Sequence, residues 1–222
     1  PLYTLLPEAP VPVIMAVALL AGLACGILNG LLVSKVKIQP IVATLILMTG
    51  GRGIAQLLSA GNIINYHSAD LSWLARGTWL ALPVPVWLAL GITGIAAYVA
   101  HAFPLGRLVS ASGSNPVAAE YAGISVGRIQ MLVYGFTGLC AALAGLIWSG
   151  DIQAADANNI GVYSELDAIL AVAIGGTSLS GGRFSLIGTA IGAVLMRLIT
   201  TMLLTRGVEP PLAMVLKGLL VV

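Results

Sequence analysis

VIMAVALLAGLACGILNGLLVS, residues 13–34, carries no charged side chain. As a helix rising 1.5 Å per residue it is about 33 Å long, enough to cross the ~30 Å hydrocarbon core of a bilayer. Gly22, Gly26 and Gly30 recur at every fourth position, a small-residue stripe along which a second helix can approach closely. Asn29 lies beside the stripe and is the only amide in the run. Lys35 and Lys37 follow at once, which assigns this end to the cytoplasm.

The rest of the 222-residue chain has the same character: 59% hydrophobic, 8% charged, mean hydropathy +1.02. Soluble domains carry about 25% charged residues, and no soluble core absorbs so much apolar surface. The chain therefore reads as an all-α, polytopic transmembrane helical bundle. A net charge of +2 gives no reason to expect a nucleic-acid partner. Cys25 and Cys140 fall inside apolar runs and read as buried thiols, not a disulfide or a metal site. The sequence has no initiating Met and stops within the apolar run LKGLLVV, so both ends are expected to be missing from a longer protein.

Working outward, Pro1–Pro12 reads as a loop carrying Glu8, and Pro40 opens a second span over 41–58. Gly50-Gly51-Arg52-Gly53 is expected to interrupt that span and to leave a guanidinium at membrane depth. Intramembrane charges are costly and mark function by default. Arg52 either ties down carbonyls where the glycines loosen the helix or lines a path. Residues 61–78 read as an outer loop with a short interfacial helix near 71–74, a solvated His67, and Trp79 and Trp87 in an aromatic belt. Further spans are expected over 82–102, 129–148 and 185–204, with another beginning at Leu212. The run 168–184 ends in two Gly-Gly pairs and reads as a thin, broken or re-entrant helix. Lys35, Lys37, Arg107, Arg128 and Arg183 fall on the assigned inside, against Arg76 and Arg206 outside.

The longest polar break is PLGRLVSASGSNPVAAEYAGISVGR, residues 104–128. Asn115 is a good N-cap, Pro116 suits the first helical position and Gly123 is a plausible stop, so a short helix is expected over 116–122. Its small face, Ala118, Ala119 and Ala122 beside Glu120 and Tyr121, suits either docking into a partner's groove or plain solvation. None of the three lysines follows a glycine, so no P-loop exists. His67 and His101 are far apart, and neither metal-ligand spacing nor a nucleophile–base pair stands out. The chain suits a conduit better than an enzyme: a primary transporter's membrane subunit, an ion-coupled secondary carrier, or a channel for a small polar solute.

Four stretches carry a resemblance. They are Asn29-Gly30 with 38–45 (IQPIVATL); 48–53 (MTGGRG); 113–119 (GSNPVAA) with 123–126 (GISV); and 165–169 (ELDAI) with 174–179 (IGGTSL) and Gly181-Gly182. In combination they resemble the permease subunits of bacterial ABC importers for monosaccharides, the ribose, galactofuranose, arabinose and xylose group. Asp156-Ala157-Asn158-Asn159 looks most like the galactofuranose members.

The resemblance implies a multi-pass permease of the bacterial inner membrane, with about ten spans of bilayer length when complete. It implies one transmembrane permease domain over 1–222, with residues 104–128 as the cytoplasmic coupling loop. The ATPase-docking residues would be Asn115, Pro116, Ala118, Ala119, Glu120 and Gly123. The implied partners are a second permease subunit, an ATP-binding subunit, a periplasmic sugar-binding protein and membrane lipid. No cofactor is expected in this chain, ATP and Mg being bound by the partner. Sugar would enter near 151–165 and 62–73. Asn29, Thr44, Thr49, Arg52 and Gln56 are candidates to line its path, and Gly22, Gly26, Gly30, Gly188 and Gly192 are candidates for helix contacts. Arg197 departs from the family pattern, which implies an uncharged residue there.

Overall fold

In the computed structural model, residues 10–179, 181–182 and 184–221 are described; Glu8 and Arg183 lie outside that set. Five helices are long and apolar enough to cross a membrane: α1 (Val11–Ser34), α2 (Pro40–Leu58), α4 (Val84–Ala102), α7 (Val126–Ile152) and α9 (Leu186–Thr205). Between them lie α3 (Ala69–Arg76), α5 (Leu105–Ser114), α6 (Pro116–Tyr121) and α8 (Ser164–Ile174), with α10 (Pro210–Val221) at the end. No more than 11% of any span's most apolar window is buried inside the chain, so the spans present their side chains to lipid or to other protein. The all-α, multi-pass expectation holds.

The expected interruption at Gly50–Gly53 is overturned, since α2 runs unbroken from Pro40 to Leu58. Glycine disfavours a helix by about 1 kcal/mol relative to alanine. In lipid, however, each backbone N–H left unpaired costs several kcal/mol, so the helix closes its own ladder. Another departure is α5, a helix formed where the sequence suggested plain loop. The helix after it, α6, ends at Tyr121. The short interfacial helix is present as α3, capped by the Ser68 hydroxyl, with Asp70 in its first turn and Arg76 in its last.

The chain divides into two compact units: Pro1–Ile92 with Ser125–Ile160, and Thr93–Ile124 with Gly161–Val222. In the first, the glycine stripe of α1 lies directly on α7. A Cβ on Gly22 would come 2.5 Å from Ala142 Cβ and 2.7 Å from Gly138 O. On Gly30 it would come 2.8 Å from Met131 Cα, and on Gly26 it would strike the Tyr134 carbonyl. Such backbone-to-backbone approach is how helices associate where lipid removes the hydrophobic incentive. Beside them, α3 lies on α7, where Gly150 faces the Leu71 carbonyl. Two short strands, β1 (Ile64–Asn65) and β4 (Ala154–Ala155), pair antiparallel and tie the loop after α2 to the turn after α7. A second pair, β2 (Thr78–Trp79) and β3 (Leu82–Pro83), forms the hairpin that leads into α4. Trp79 and Trp87 meet edge to face there at 5.5 Å.

In the second unit α8 has 11 residues, about 17 Å of helix and only half a bilayer. It packs on α9 through Gly175 against Gly188 and through Gly192 against the Ala171 carbonyl. Thr177 Oγ1 lies 3.1 Å from Thr189 Oγ1 and accepts from Ser185 N at 3.1 Å, closing the loop between the two helices.

Candidate functional site

An open cavity of 570 Å³ lies in the first unit. Its walls come from α1 (Cys25, Asn29), α2 (Thr44, Leu47, Met48, Gly51, Arg52, Ala55), α7 (Ser149) and the turn around β4 (Ala155, Asp156, Ala157, Ile160). The α2 residues recur at helical spacing and form one face. Thr44 and Arg52 are about 12 Å apart along the helix axis, so the cavity has a polar group near each end and a largely apolar middle.

At the Arg52 end a single asparagine is gripped from three directions. Arg52 Nη1 donates to Asn158 O at 2.8 Å, and Gln56 Nε2 donates to Asn158 Oδ1 at 2.9 Å. Asn158 Nδ2 in turn donates to Gly61 O at 3.1 Å. The turn is braced internally, since Asp156 Oδ1 accepts from Asn158 N at 2.8 Å and from Asn159 N at 3.2 Å. Asp156 Oδ2 accepts from Asn159 Nδ2 at 2.7 Å. The Asn159 side-chain bond first, then the Asn158 backbone bond, with a smaller contribution from Arg52, holds the Asp156 carboxyl below the usual carboxylate range. Its contribution to the turn is thus fully present above the ordinary carboxylate pKa. It is lost only as the pH falls through the lowered value.

At the other end Asn29 and Thr44 stand together. Thr44 Oγ1 donates within its own helix, with Pro40 O and Ile41 O at 3.1 and 3.0 Å. Asn29 Oδ1 is buried with no hydrogen-bond partner among the described residues. Cys25, Asn29, Thr44 and Leu47 also line a second void of 280 Å³ against Tyr134, Thr137 and Gly138 of α7.

The structure thus brings Asn29, Thr44 and Arg52 to one cavity, while Gln56 is not among its lining residues and bonds instead to Asn158 of the adjoining turn. It does not bring Thr49 there. Five residues beyond Thr44, Thr49 is rotated about 140° around the helix, and its hydroxyl is spent on Leu45 O at 2.9 Å. Sequence reasoning read Cys25 as a buried thiol, but it is exposed and lines the cavity one helical turn before Asn29, where the spacing puts the two on one face; Cys140 is only half-buried. Asn158's central role left no local signal, because its partners lie 106, 102 and 97 residues away.

In the second unit Asn115 Oδ1 accepts from Ala118 N at 3.0 Å, so Asn115 caps α6, with Pro116 opening it. Gly123 turns the chain out of the helix at φ +80°, a left-handed conformation natural to glycine. Ala119 was expected on the presented face but is only 5% exposed. It faces into the fold. The outward residues are Val117, Ala118, Glu120 and Tyr121, the last 90% exposed. Behind this segment α5 rests on the glycine pair of the 181–182 loop, with Gly113 beside Gly182 and the Ser110 hydroxyl donating to Gly182 O.

The same unit holds a cluster of charges. Lys217 Nζ meets Asp167 Oδ1 at 2.7 Å, the lysine side chain being 9% exposed and the aspartate 47%. Arg197 shares a 200 Å³ cavity with Asp167 and Thr200. Asp167→Ala is expected to lower the melting temperature in detergent, because it strands a buried ammonium. The loss should fall short of the ~3–5 kcal/mol of a fully buried pair, since water reaches half of the carboxylate. Asp167→Asn, which keeps an acceptor, should lose less.

A family model described as "branched-chain amino acid transport system / permease component" matches residues 2–222. The chain belongs to this family. It is 46% identical to the galactofuranose transporter permease protein of Escherichia coli (strain K12), over 95% of this chain and 62% of that protein. It is 38% identical to the ribose import permease protein of the same strain, over 94% and 66% respectively. A fructose import permease protein of Bifidobacterium longum (strain NCC 2705) is also 38% identical, over 87% and 55%. The chain therefore spans less than two thirds of the length of these relatives. No solved structure matches it. The resemblance drawn from the four motif stretches holds, and with it the assignment as a multi-pass permease of the bacterial inner membrane.

Proposed function

We propose that this chain is part of the membrane-spanning subunit of an ATP-driven monosaccharide importer, and that the first-unit cavity belongs to the sugar's path. The observation that carries this reading is the cavity itself. It is roomy enough at 570 Å³ for a monosaccharide, is lined by Asn29, Thr44 and Arg52, and lies in a permease whose relatives are named for galactofuranose, ribose and fructose. Its mostly apolar wall with few polar groups suits passage better than tight retention. Sugar is delivered from the side of the 156–160 turn by a periplasmic binding protein. The α5–α6 segment meets an ATP-binding partner that holds ATP and Mg. A second permease subunit completes the path, and closure of the ATPase pair moves α6 to alternate access.

The family model's own description raises a second reading, an amino-acid path. A zwitterion needs a free carboxylate as well as a free cation. Both Asp156 oxygens are occupied inside their own turn, which favours a neutral solute. An ion-coupled carrier is disfavoured in turn because Asp167 is already paired with Lys217.

The test is purification of the full-length tagged protein in mild detergent from its native host, with assay for a co-purifying ATPase and for sugar-stimulated ATP hydrolysis. A stoichiometric ATPase is the expected result, and a clean chain without one sinks the importer reading. Tyr121→Ala should weaken ATPase association by about tenfold or more while leaving permease yield unchanged. Exposed tyrosines are frequent energetic anchors of interfaces, and this one is 90% exposed.

A further inference from the structure

Helix α9 shows three faces about 120° apart. Gly188 and Gly192 rest on α8, with buried Met196 in line with them. Ile187, Ile191, Val194, Leu198 and Met202 form an exposed apolar stripe, the surface that lipid tails cover. The third face carries Ala193, Arg197 and Thr200, which line the 200 Å³ cavity of the second unit. Arg197 stands twelfth among the 20 residues of α9. About 12 Å of helix separates it from the nearer end, which puts it at membrane depth. Its side chain is exposed, and the guanidinium makes no hydrogen bond or ion pair among the described residues. Asp167 shares the cavity but does not neutralise it, because Asp167 Oδ1 is held by Lys217 Nζ at 2.7 Å. The charge of Arg197 is therefore the one left over in this cluster.

A lipid tail offers nothing to a guanidinium, and charges inside a membrane face protein or a water-filled space. The cavity supplies the space. Its polar groups are Arg197, Asp167 and Thr200; Ala168, Ala171, Ala193 and Met196 complete it. Thr200 Oγ1 gives its proton to Met196 O at 2.8 Å, so toward the cavity it is an acceptor. Asp167 is half exposed, and its Oδ2 has no hydrogen bond among the described residues. We propose that the Ala193–Arg197–Thr200 face of α9, with Asp167, is a wetted wall of the solute's path in the second unit, at which Arg197 and Asp167 offer a donor and an acceptor to the hydroxyls of a neutral sugar. A hydroxyl both donates and accepts, so neighbouring hydroxyls answer both groups at once. The ammonium of a zwitterion would meet a carboxylate already neutralised by Lys217, beside the unpaired charge of Arg197. The proposal rests on the sugar-importer reading and adds a second wall, on different helices from the first-unit cavity.

The test uses the full-length protein with every cysteine replaced by alanine, assembled with its partners in proteoliposomes. Ala193→Cys puts a thiol on the proposed wall one turn before Arg197, and Val194→Cys puts one on the apolar stripe. Both are treated with an anionic (sulfonatoethyl) and a cationic (trimethylammonioethyl) methanethiosulfonate, neither of which enters lipid. A193C is expected to react and V194C to stay at least tenfold slower. An unreactive A193C means that protein covers this face, and equal rates at the two positions mean that the faces do not differ; either overturns the proposal. If A193C does not assemble, Thr200→Cys takes its place on the same wall. Arg197→Gln beside the reporter should lower the anionic-to-cationic rate ratio roughly three- to tenfold, the effect of removing one nearby charge in a wet site. An unchanged ratio takes Arg197 off the wall. Should R197Q not assemble, the same ratio is read on the Arg197 protein against rising salt: it should shrink, and a constant ratio overturns the role of Arg197. With ATP present, D-galactose, D-ribose or D-fructose should slow A193C modification at least twofold and L-leucine should not. No protection in a complex that takes up sugar overturns the wall while leaving the importer reading standing. A cysteine-free complex that takes up none of these sugars, or protection by leucine alone, sinks that reading and the proposal with it.

Discussion

Gly26→Ile is expected to abolish recovery of folded, monodisperse protein. Gly26 sits at the centre of the α1–α7 contact, where even a methyl group would strike the Tyr134 carbonyl and come within 3.0 Å of Gly135 Cα. Both are backbone atoms, so no side chain can swing aside, and the two helices must separate along their length. Overpacking in a core costs about 1–3 kcal/mol where side chains can adjust. Here the clash is with the main chain, and the loss should reach or exceed the top of that range. It also opens the contact that closes the 280 Å³ void between α1, α2 and α7. Size-exclusion profiles and melting curves in mild detergent measure the effect. The control is Gly53→Ala on α2, whose added methyl meets nothing within 4 Å. It should be neutral or slightly stabilising, since alanine favours a helix. A monodisperse Gly26→Ile protein with an unchanged melting curve would mean that α1 and α7 do not meet as described.

Arg52→Leu is expected to cut sugar uptake about 10- to 100-fold, the worth of one or two hydrogen bonds from a charged donor at ~1.5–3 kcal/mol. The guanidinium does two things. It holds the Asn158 carbonyl, which fixes the turn bordering the cavity, and it contributes a polar wall. Leucine keeps the volume and removes both. Because α2 closes its own backbone ladder through the glycines, the helix does not depend on Arg52. Membrane insertion, ATPase association and the melting curve should therefore change little. Uptake in proteoliposomes, normalised to assembled complex, separates the outcomes. Normal uptake removes Arg52 from the path, whereas collapse of expression with no assembled complex makes it a structural residue. Gln56→Leu removes one of the three grips on Asn158 and should show a weaker version of the same loss.

How much of this was legible beforehand depends on the range of the forces involved. The five spans follow from composition and length, because the bilayer filters for apolar runs of a set size whatever their neighbours. The α1 stripe was readable because Gly22, Gly26 and Gly30 repeat at helical spacing, and the Asn115-Pro116 cap because capping is local. Three readings went astray for reasons beyond local sequence. The glycines around Arg52 suggested a break, but the penalty for unpaired backbone in lipid outweighs glycine's weak helix preference. Residues 105–114 looked like loop, yet they form a helix resting on glycines of the 181–182 loop some 70 positions away. Ala119 looked presented but is turned inward.

The amino-acid sequence by itself determined that this is a helical membrane protein, where its spans lie, which glycines permit close helix contact and which family its motifs resemble. Each depends on a property of one segment alone: hydropathy, length, periodicity or a cap. Only the tertiary structure decided that Asn29, Thr44 and Arg52 share a cavity while Thr49 does not, that Asn158 is held by Arg52, Gln56 and Gly61, and that Lys217 is paired with Asp167. The Asn158 and Lys217 contacts join residues 50 to 106 positions apart. Their existence depends on how helices rotate and approach once packed, which no single segment encodes.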